Sequence, residues 1–218
     1  MSLALDHLVV AARTLEEGAA WLEARLGVEP LAGGKHAAMG THNRVLSLGP
    51  SAYLEIIAID PEAPPPARPR WFSLDDPALQ SRLTGGPGLV HWVARAGDLA
   101  AARDRLGDRV GDLLDLERGD YRWRIGVPPD GALPEQGAFP TLIEWRGPHP
   151  AQRLPDLGVR LEWLAIRHPR AAGIEAELAE AGFERHPGLR FAPDAGAGLS
   201  AVLIGPLGMV ILPELAAL

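Results

Sequence analysis

The sequence of 218 residues contains no cysteine and only one lysine, Lys35. Without cysteine there can be no disulfide, no thiolate metal ligand and no cysteine nucleophile, so any metal site must use histidine and carboxylate side chains. No apolar run reaches the roughly 18 residues that a membrane span requires. The N-terminus lacks the basic flank of a signal peptide. We therefore expect a cytoplasmic protein that makes no use of a membrane.

Several function classes lack the motifs that they require. There is no G-x-S-x-G nucleophile motif, no P-loop and no G-x-G-x-x-G dinucleotide motif. The net charge of -7 argues against nonspecific binding to nucleic acid. With 47% hydrophobic and 22% charged residues, the chain has the composition of a globular protein with a sizeable core, which excludes disorder throughout. We expect a small molecule, and no nucleic acid, as the partner.

The chain contains an internal repeat, whose first copy begins near the N-terminus. Residues 5–10 read Leu-Asp-His-Leu-Val-Val, which predicts a short buried strand. An amphipathic helix is predicted from Thr14 to Leu26, because Thr14 and Glu17 form a capping box and Gly27 is a typical helix stop. Two more strands fit between the helix and the closing strand of residues 53–57, and Arg44 to Leu48 is the clearer of them in this copy. The unit therefore reads strand, helix and three strands.

Two further copies follow the same pattern. Residues 89–94 read Leu-Val-His-Trp-Val-Ala, and Asp98 caps a helix that Gly107 ends. The third copy begins with residues 161–166, and its helix is predicted between Pro169 and Gly182. The predicted fold class is α+β, with tandem βαβββ modules that form curved mixed sheets around a cleft and a third related module at the C-terminus.

The predicted modules span residues 1–60, 87–147 and 159–218, with linkers at residues 61–86 and 148–158. Five of the ten residues from Pro61 to Arg70 are proline, which excludes a helix or a central strand there. Trp71 and Phe72 follow; they are expected to anchor the linker on the core or to close one mouth of the cleft. Because the third module has no internal partner, we expect it to cover a sheet edge or to form a homodimer.

Polar residues recur at matching positions of the repeat. His7 and His91 occupy the same position of their opening strands, and Glu55 and Glu144 lie in the closing strands. If the first and last strands of a unit pair, each histidine lies beside a glutamate, and two facing units bring all four together. Such a set suits Zn²⁺, Ni²⁺, Co²⁺, Mn²⁺ or Fe²⁺. The alternative is that each histidine forms a hydrogen bond with a neighbour.

The period of two along a strand predicts which side chains share a face. His7 is expected to share a face with Leu5 and Val9, and Glu55 to share one with Tyr53 and Ile57. Both glutamates have apolar neighbours, where an ionised carboxylate is costly unless it is paired or bound to a metal. The pattern therefore predicts that the glutamates have partners.

These motifs resemble the vicinal oxygen chelate superfamily, which includes glyoxalase I, extradiol dioxygenases and bleomycin-resistance proteins. The resemblance lies in residues 5–10, the βαβββ unit and the closing Tyr-Leu-Glu-Ile-Ile of residues 53–57. Within the superfamily, residues 33–36 (Gly-Gly-Lys-His), 40–44 (Gly-Thr-His-Asn-Arg) and 48–49 (Leu-Gly) resemble the branch called glyoxalase-like domain proteins. The resemblance covers about residues 3 to 150.

The resemblance implies a divalent metal as cofactor. In metal-binding members the ligands come from the first and last strands of paired units, and His7, Glu55, His91 and Glu144 match those positions. In glyoxalase I the metal polarises the enediolate oxygens and a ligand carboxylate moves the proton, a role that Glu55 or Glu144 would take here. In the dioxygenases two histidines and one glutamate hold Fe²⁺.

Two functions are consistent with this pattern. The first is a metal-dependent lyase, isomerase or dioxygenase that acts on a small oxygen-rich molecule. The second is a metal-free protein of the bleomycin-resistance type that sequesters a small apolar or anionic molecule. The sequence does not decide whether the protein is an enzyme.

Further candidate site residues lie on the segments that would border the cleft. His42 is a candidate acid or base, with a solvated loop histidine as the alternative. Arginine can hold a carboxylate with two hydrogen bonds. Arg44, Arg122 and Arg124 are therefore candidates for binding a substrate anion, with a solvated side chain as the alternative for each. The candidate substrate-binding residues are His36, Asn43, Arg44, Tyr53, Arg122, Trp123 and Arg124.

Overall fold

A computed structural model of the chain describes residues 2–213. The first unit contains β1 (Leu3–Ala11), α1 (Leu15–Leu26), β2 (Leu31–His36), β3 (Thr41–Ser47) and β4 (Tyr53–Ile59). The α1 boundaries agree with the prediction: the Thr14 side chain accepts a hydrogen bond from the Glu17 N–H at 3.1 Å, and Gly27 ends the helix with φ 75°. The linker contains an additional short helix, α2 (Pro77–Leu83), which Asp76 caps.

The second unit repeats the order of the first. It contains β5 (Gly88–Ala96), α3 (Leu99–Leu106), β6 (Asp112–Arg118), β7 (Tyr121–Val127) and β8 (Thr141–Trp145). In each unit the opening strand pairs in parallel with the closing strand, β1 with β4 and β5 with β8. The antiparallel pairing of β1 with β5 joins the units into one eight-stranded sheet of order β2-β3-β4-β1-β5-β8-β7-β6.

The eight-stranded sheet curls until its two edge strands approach each other. A Cβ atom on Gly34 of β2 would lie 2.6 Å from Cδ of Arg118 of β6. A side chain at position 34 would therefore force the Arg118 side chain to move, which glycine avoids. The cleft therefore lies inside a half-barrel whose opposite edges meet at Arg118.

The third unit has the predicted element order but a different sheet order. It contains β9 (Arg160–Arg167), α4 (Ala171–Glu180), β10 (Leu189–Ala192), β11 (Gly198–Gly205) and β12 (Gly208–Leu212). The four strands are ordered β10-β9-β11-β12, so the opening strand pairs with β10 and β11 while the closing strand lies at an edge. The third unit therefore departs from the pairing of the first two.

The hydrophobic core lies between the convex face of the large sheet and the third unit. Leu8 and Trp92 of the large sheet belong to one buried cluster with Leu164 and Leu203 of the small sheet. The wholly buried Trp92 ring lies with its centroid 5.8 Å from that of Phe183, a third-unit residue. The third unit thus packs on a face of the sheet, and a homodimer stays a prediction. No helix within residues 2–213 is long and apolar enough to cross a membrane.

A β-bulge in β1 determines which side chains enter the cleft. The pairing of β1 with β5 shifts between Leu5 and His7, so Asp6 is an extra residue in β1. Leu5 and Leu8 both pack in the convex core, whereas His7 lines the cleft and Val9 packs beneath it. The prediction that His7 shares a face with Leu5 is therefore wrong, because the bulge interrupts the period of two.

The core predicts that the third unit stabilises the other two through Trp92. Replacing Trp92 with alanine should lower the free energy of unfolding by about 3–5 kcal/mol, because the change leaves a large cavity between the sheets. Urea unfolding followed by circular dichroism measures this loss. Trp163, which lies half-buried in the third unit, is the matched control, and its replacement by alanine should cost far less. Equal losses for the two variants would contradict this description of the core.

Candidate functional site

The floor of the cleft is built on a wholly buried carboxylate, that of Asp6. It accepts hydrogen bonds from His7 Nδ1 at 2.6 Å, from Trp145 Nε1 at 2.9 Å and from His149 Nε2 at 2.9 Å. Burial alone would raise the pKa of Asp6, but the hydrogen bonds and charges of His149 and His7 outweigh it and hold the pKa well below its usual range. Asp6 is therefore ionised and fully paired.

His7 and Glu55 form the next pair in the cleft. His7 Nε2 lies 3.6 Å from Glu55 Oε2, and the Asn43 amide donates a hydrogen bond to Glu55 Oε1 at 2.5 Å. Burial would lower the pKa of His7, but Asp6 and Glu55 raise it to about 9. Burial would raise the pKa of Glu55, but His7 and other neighbours lower it to about 2. An imidazolium thus lies between two carboxylates.

Arg118 closes this cluster from the opposite edge of the sheet. Its Nη1 donates to His36 Nε2 at 2.9 Å and to Asn43 Oδ1 at 3.0 Å. Burial lowers the pKa of His36 to about 4, so this histidine is neutral and can accept the bond. Within residues 2–213, no carboxylate lies near enough to Arg118 to form an ion pair. Arg118 is therefore a half-buried cation held by neutral partners.

Aromatic side chains form the walls of the cleft. The Tyr53 ring stacks on His7 with centroids 4.5 Å apart, and the Trp71 centroid lies 5.1 Å from that of His36. Trp71 and Phe72 are buried, so they anchor the linker and also line the cavity. The cavity measures about 30 Å³. Its remaining walls come from Trp123, Ile125, Ile143 and Trp145.

The second unit presents a different pair at the equivalent position. Val9 lies opposite Glu55 in the first unit, and Val93 lies opposite Thr141 in the second, so Thr141 is the counterpart of Glu55. His91 Nε2 accepts a hydrogen bond from the Thr141 backbone N–H at 3.0 Å. Burial lowers the pKa of His91 to about 3. His91 is thus a neutral, wholly buried side chain whose Nε2 is occupied.

Glu144 does not face the cleft, contrary to the prediction. It lies three residues beyond Thr141, and an odd offset along a strand turns a side chain to the other face. Its Oε2 accepts a hydrogen bond from the Leu99 backbone N–H at 2.7 Å, at the beginning of α3. Glu144 therefore stabilises the N-terminus of a helix, and its predicted catalytic and metal-binding roles do not fit this position.

A family comparison agrees with this architecture. A family model described as a glyoxalase-like domain matches residues 5–182. The chain belongs to the glyoxalase-like domain family. This confirms the resemblance to glyoxalase-like domain proteins that the sequence motifs indicated. No match to a curated protein was found.

The solved structures that are similar to this chain are distant in sequence. A hypothetical protein from Staphylococcus aureus is 13% identical with a TM-score of 0.56, over 98% of this chain and 86% of that one. Methylmalonyl-CoA epimerase from Mycobacterium tuberculosis is 20% identical with a TM-score of 0.40, over 65% of this chain and 85% of that one. A hypothetical protein from Bacillus halodurans is 12% identical with a TM-score of 0.42, over 66% and 94% of the two chains. These likenesses concern the fold alone.

The donor atoms of this glyoxalase-like chain do not fit the expected metal centre. His7 Nε2 and Glu55 Oε2 lie together, but His91 Nε2 accepts from Thr141 and Glu144 lies on the other face of the sheet. Across the described part of the chain, no group of three or more histidine and carboxylate side chains is placed to hold a metal ion. Metal centres of this type generally use three or four protein ligands. The expected set of His7, Glu55, His91 and Glu144 is therefore not assembled.

Strand alternation also separates the candidates on β3. Asn43 faces the cleft, whereas His42 lines a different cavity with Lys35 and Asp60. Arg44 donates to Glu29 Oε1 at 3.2 Å, outside the cleft. His42, a candidate acid or base, and Arg44, a candidate substrate contact, therefore both lie outside the cleft.

Alternation separates the candidates on β7 in the same way. Trp123 faces the cleft, but its neighbours Arg122 and Arg124 point outward. Arg122 Nε lies 2.9 Å from a Glu117 carboxylate oxygen, and Arg124 forms two hydrogen bonds with Asp115. Arg122 and Arg124 therefore lie outside the cleft, which favours the alternative of solvated side chains.

Three residues of the cleft cluster were not among the predicted site residues: Asp6, Arg118 and His149. A signal was available for Asp6, which is an acidic residue inside an otherwise apolar strand. Arg118 gives no such signal, because it ends a strand of mixed acidic and leucine residues and enters the cleft only through the curl of the sheet. His149 precedes a proline and reads as a turn residue from sequence.

The ion pairs of His7 predict a loss of stability at alkaline pH. A histidine whose folded-state pKa is raised stabilises the fold fully below its ordinary pKa of 6.5, and this contribution is lost as the pH rises through about 9. The free energy of unfolding should fall between pH 7 and pH 9.5 in the natural chain. Replacing His7 with glutamine should make this fall smaller. Urea titrations at the two pH values test this; an equal fall in the variant would refute the assignment.

Proposed function

We propose that this glyoxalase-like chain binds a small organic anion in the cleft through its own side chains, without a metal ion. The observation that supports this most directly is the environment of Arg118. Its guanidinium faces an aromatic-walled cavity, forms hydrogen bonds only with neutral side chains and has no carboxylate partner in the described residues. Arginine binds carboxylates and other oxyanions through charge-assisted hydrogen bonds.

Each member of the cluster has a defined part in this proposal. Arg118 donates its uncommitted N–H groups to the oxyanion, and His36 and Asn43 fix the orientation of the guanidinium. The protonated His7 holds Nδ1 on Asp6 and directs Nε2 into the cleft, where it can donate to a second ligand oxygen. The indole of Trp123, which lines the cleft, packs against the apolar part of the ligand, as aromatic side chains do in most small-molecule sites.

The pKa values of the cleft side chains favour ligand binding over proton transfer. A general base works best with a pKa near the ambient pH, and the pKa of Glu55 is lowered to about 2. His36 and His91, both neutral, have their Nε2 lone pairs occupied by N–H donors. The metal-dependent lyase, isomerase or dioxygenase that the resemblance implies stays the competing hypothesis.

Calorimetric titration with acetate, benzoate and phosphate tests the proposed function. At least one of these anions should bind the natural chain, and replacing Arg118 with glutamine should weaken binding by about 10- to 100-fold, the loss expected for a charge-assisted hydrogen bond. Arg160→Gln is the matched control, since this arginine pairs with Asp156 outside the cleft. The control should bind like the natural chain, and EDTA should change none of the affinities.

A metal-dependent result would overturn the proposal. Elemental analysis would then find about one transition-metal ion per chain after supplementation. Anion binding would be abolished by EDTA and restored by the ion. Binding that is equally weakened by Arg118→Gln and Arg160→Gln would also contradict a specific role for Arg118.

A further inference from the structure

The cleft cavity is small for a substrate. Its volume of about 30 Å³ is room for about two water molecules, whereas ligand pockets generally measure about 300–1,000 Å³. An oxyanion head fits this space, but the body of an organic ligand does not. The remainder of the ligand must therefore lie in an adjoining space.

A second cavity of about 250 Å³ adjoins the first where the edges of the half-barrel approach each other. We call it the seam groove. Its walls are His36, Ala37, Ala38, Asp115, Leu116, Glu117 and Trp123. His36 and Trp123 also line the cleft cavity, so these two side chains border both spaces. Together they approach the lower end of the usual range for ligand pockets.

The charges of the seam groove select an uncharged ligand body. Asp115 pairs with Arg124 and Arg146, and Glu117 pairs with Arg122, so the acidic rim is already neutralised. The other walls are short or apolar side chains. The Arg118 guanidinium lies beside this groove, at the end that adjoins the cleft cavity. Gly34 leaves space there for the Arg118 side chain, between the two edge strands. One end of the combined site therefore favours an anion and the other an apolar chain.

From this arrangement we propose that the ligand is an elongated organic anion with its oxyanion head at Arg118 and an apolar body in the seam groove. This inference rests on the proposed function and adds the chemical class of the ligand. The seam groove is then the subsite that selects the length of the ligand's apolar chain. The oxyanion head of the ligand contributes the part of the affinity that depends on Arg118.

Titration calorimetry with acetate, hexanoate and decanoate tests the seam groove. In the natural chain the affinity should rise along the series, by about fourfold for each methylene group that enters the groove. Replacing Ala38 with tryptophan fills the groove from an exposed position. This variant should bind decanoate at least tenfold more weakly than the natural chain and leave any acetate binding unchanged.

Ala32→Trp is the matched control, because Ala32 is exposed on the edge strand that leads into the turn with Ala38 but does not line the groove. It should leave the decanoate affinity unchanged. A flat affinity series, or equal losses for Ala38→Trp and Ala32→Trp, would overturn the seam groove while Arg118-dependent binding of the head group stands. If no carboxylate of the series binds in an Arg118-dependent manner, the proposed function and the seam groove both fail.

Discussion

The rest of the cleft depends on the buried carboxylate of Asp6. Three donors from separate parts of the chain, His7, Trp145 and His149, meet on it. An unpaired carboxylate at this depth would be very costly, so its hydrogen bonds fix β1, β8 and the segment after β8 relative to one another. Asp6 also keeps His7 protonated, which in turn keeps Glu55 ionised. The charge state of the cleft therefore depends on Asp6, the extra residue of the β-bulge.

The two units of the large sheet have divided roles. In the first unit His7 faces Glu55, and both are charged. In the second unit the counterparts are His91 and Thr141, which form a neutral hydrogen-bonded pair beneath Phe72. In a symmetric pair of units, a histidine and a glutamate from each unit would meet as four metal ligands. Here the first unit and Arg118 form a charged site, whereas the second unit contributes a neutral, packed wall.

The fold was predictable because strand and helix periods, caps and repeats are local signals. Residues 5–10, the Thr14 cap and the repeat at His91 predicted the modules and their element order. The cleft was predicted only in part. The cleft brings together four of the candidates, His36, Asn43, Tyr53 and Glu55. The repeat in the sequence aligned Glu144 with Glu55, whereas the strand pairing aligns Thr141 with Glu55. This difference of three residues is why Glu144 was predicted on the wrong face. The bulge at Asp6 and the curl that brings in Arg118 are tertiary features, which no local pattern encodes.

The protonation state of His7 tests this account most directly, because a charged imidazolium and a metal ligand differ at the same atom. Side-chain ¹⁵N–¹H correlation spectra of histidine-labelled protein at pH 7.5 report both ring nitrogens, with His7→Gln for the assignment. The account predicts that Nδ1 and Nε2 of His7 both carry a proton, while His36 and His91 are neutral. A neutral His7 with a free Nε2 lone pair would contradict it.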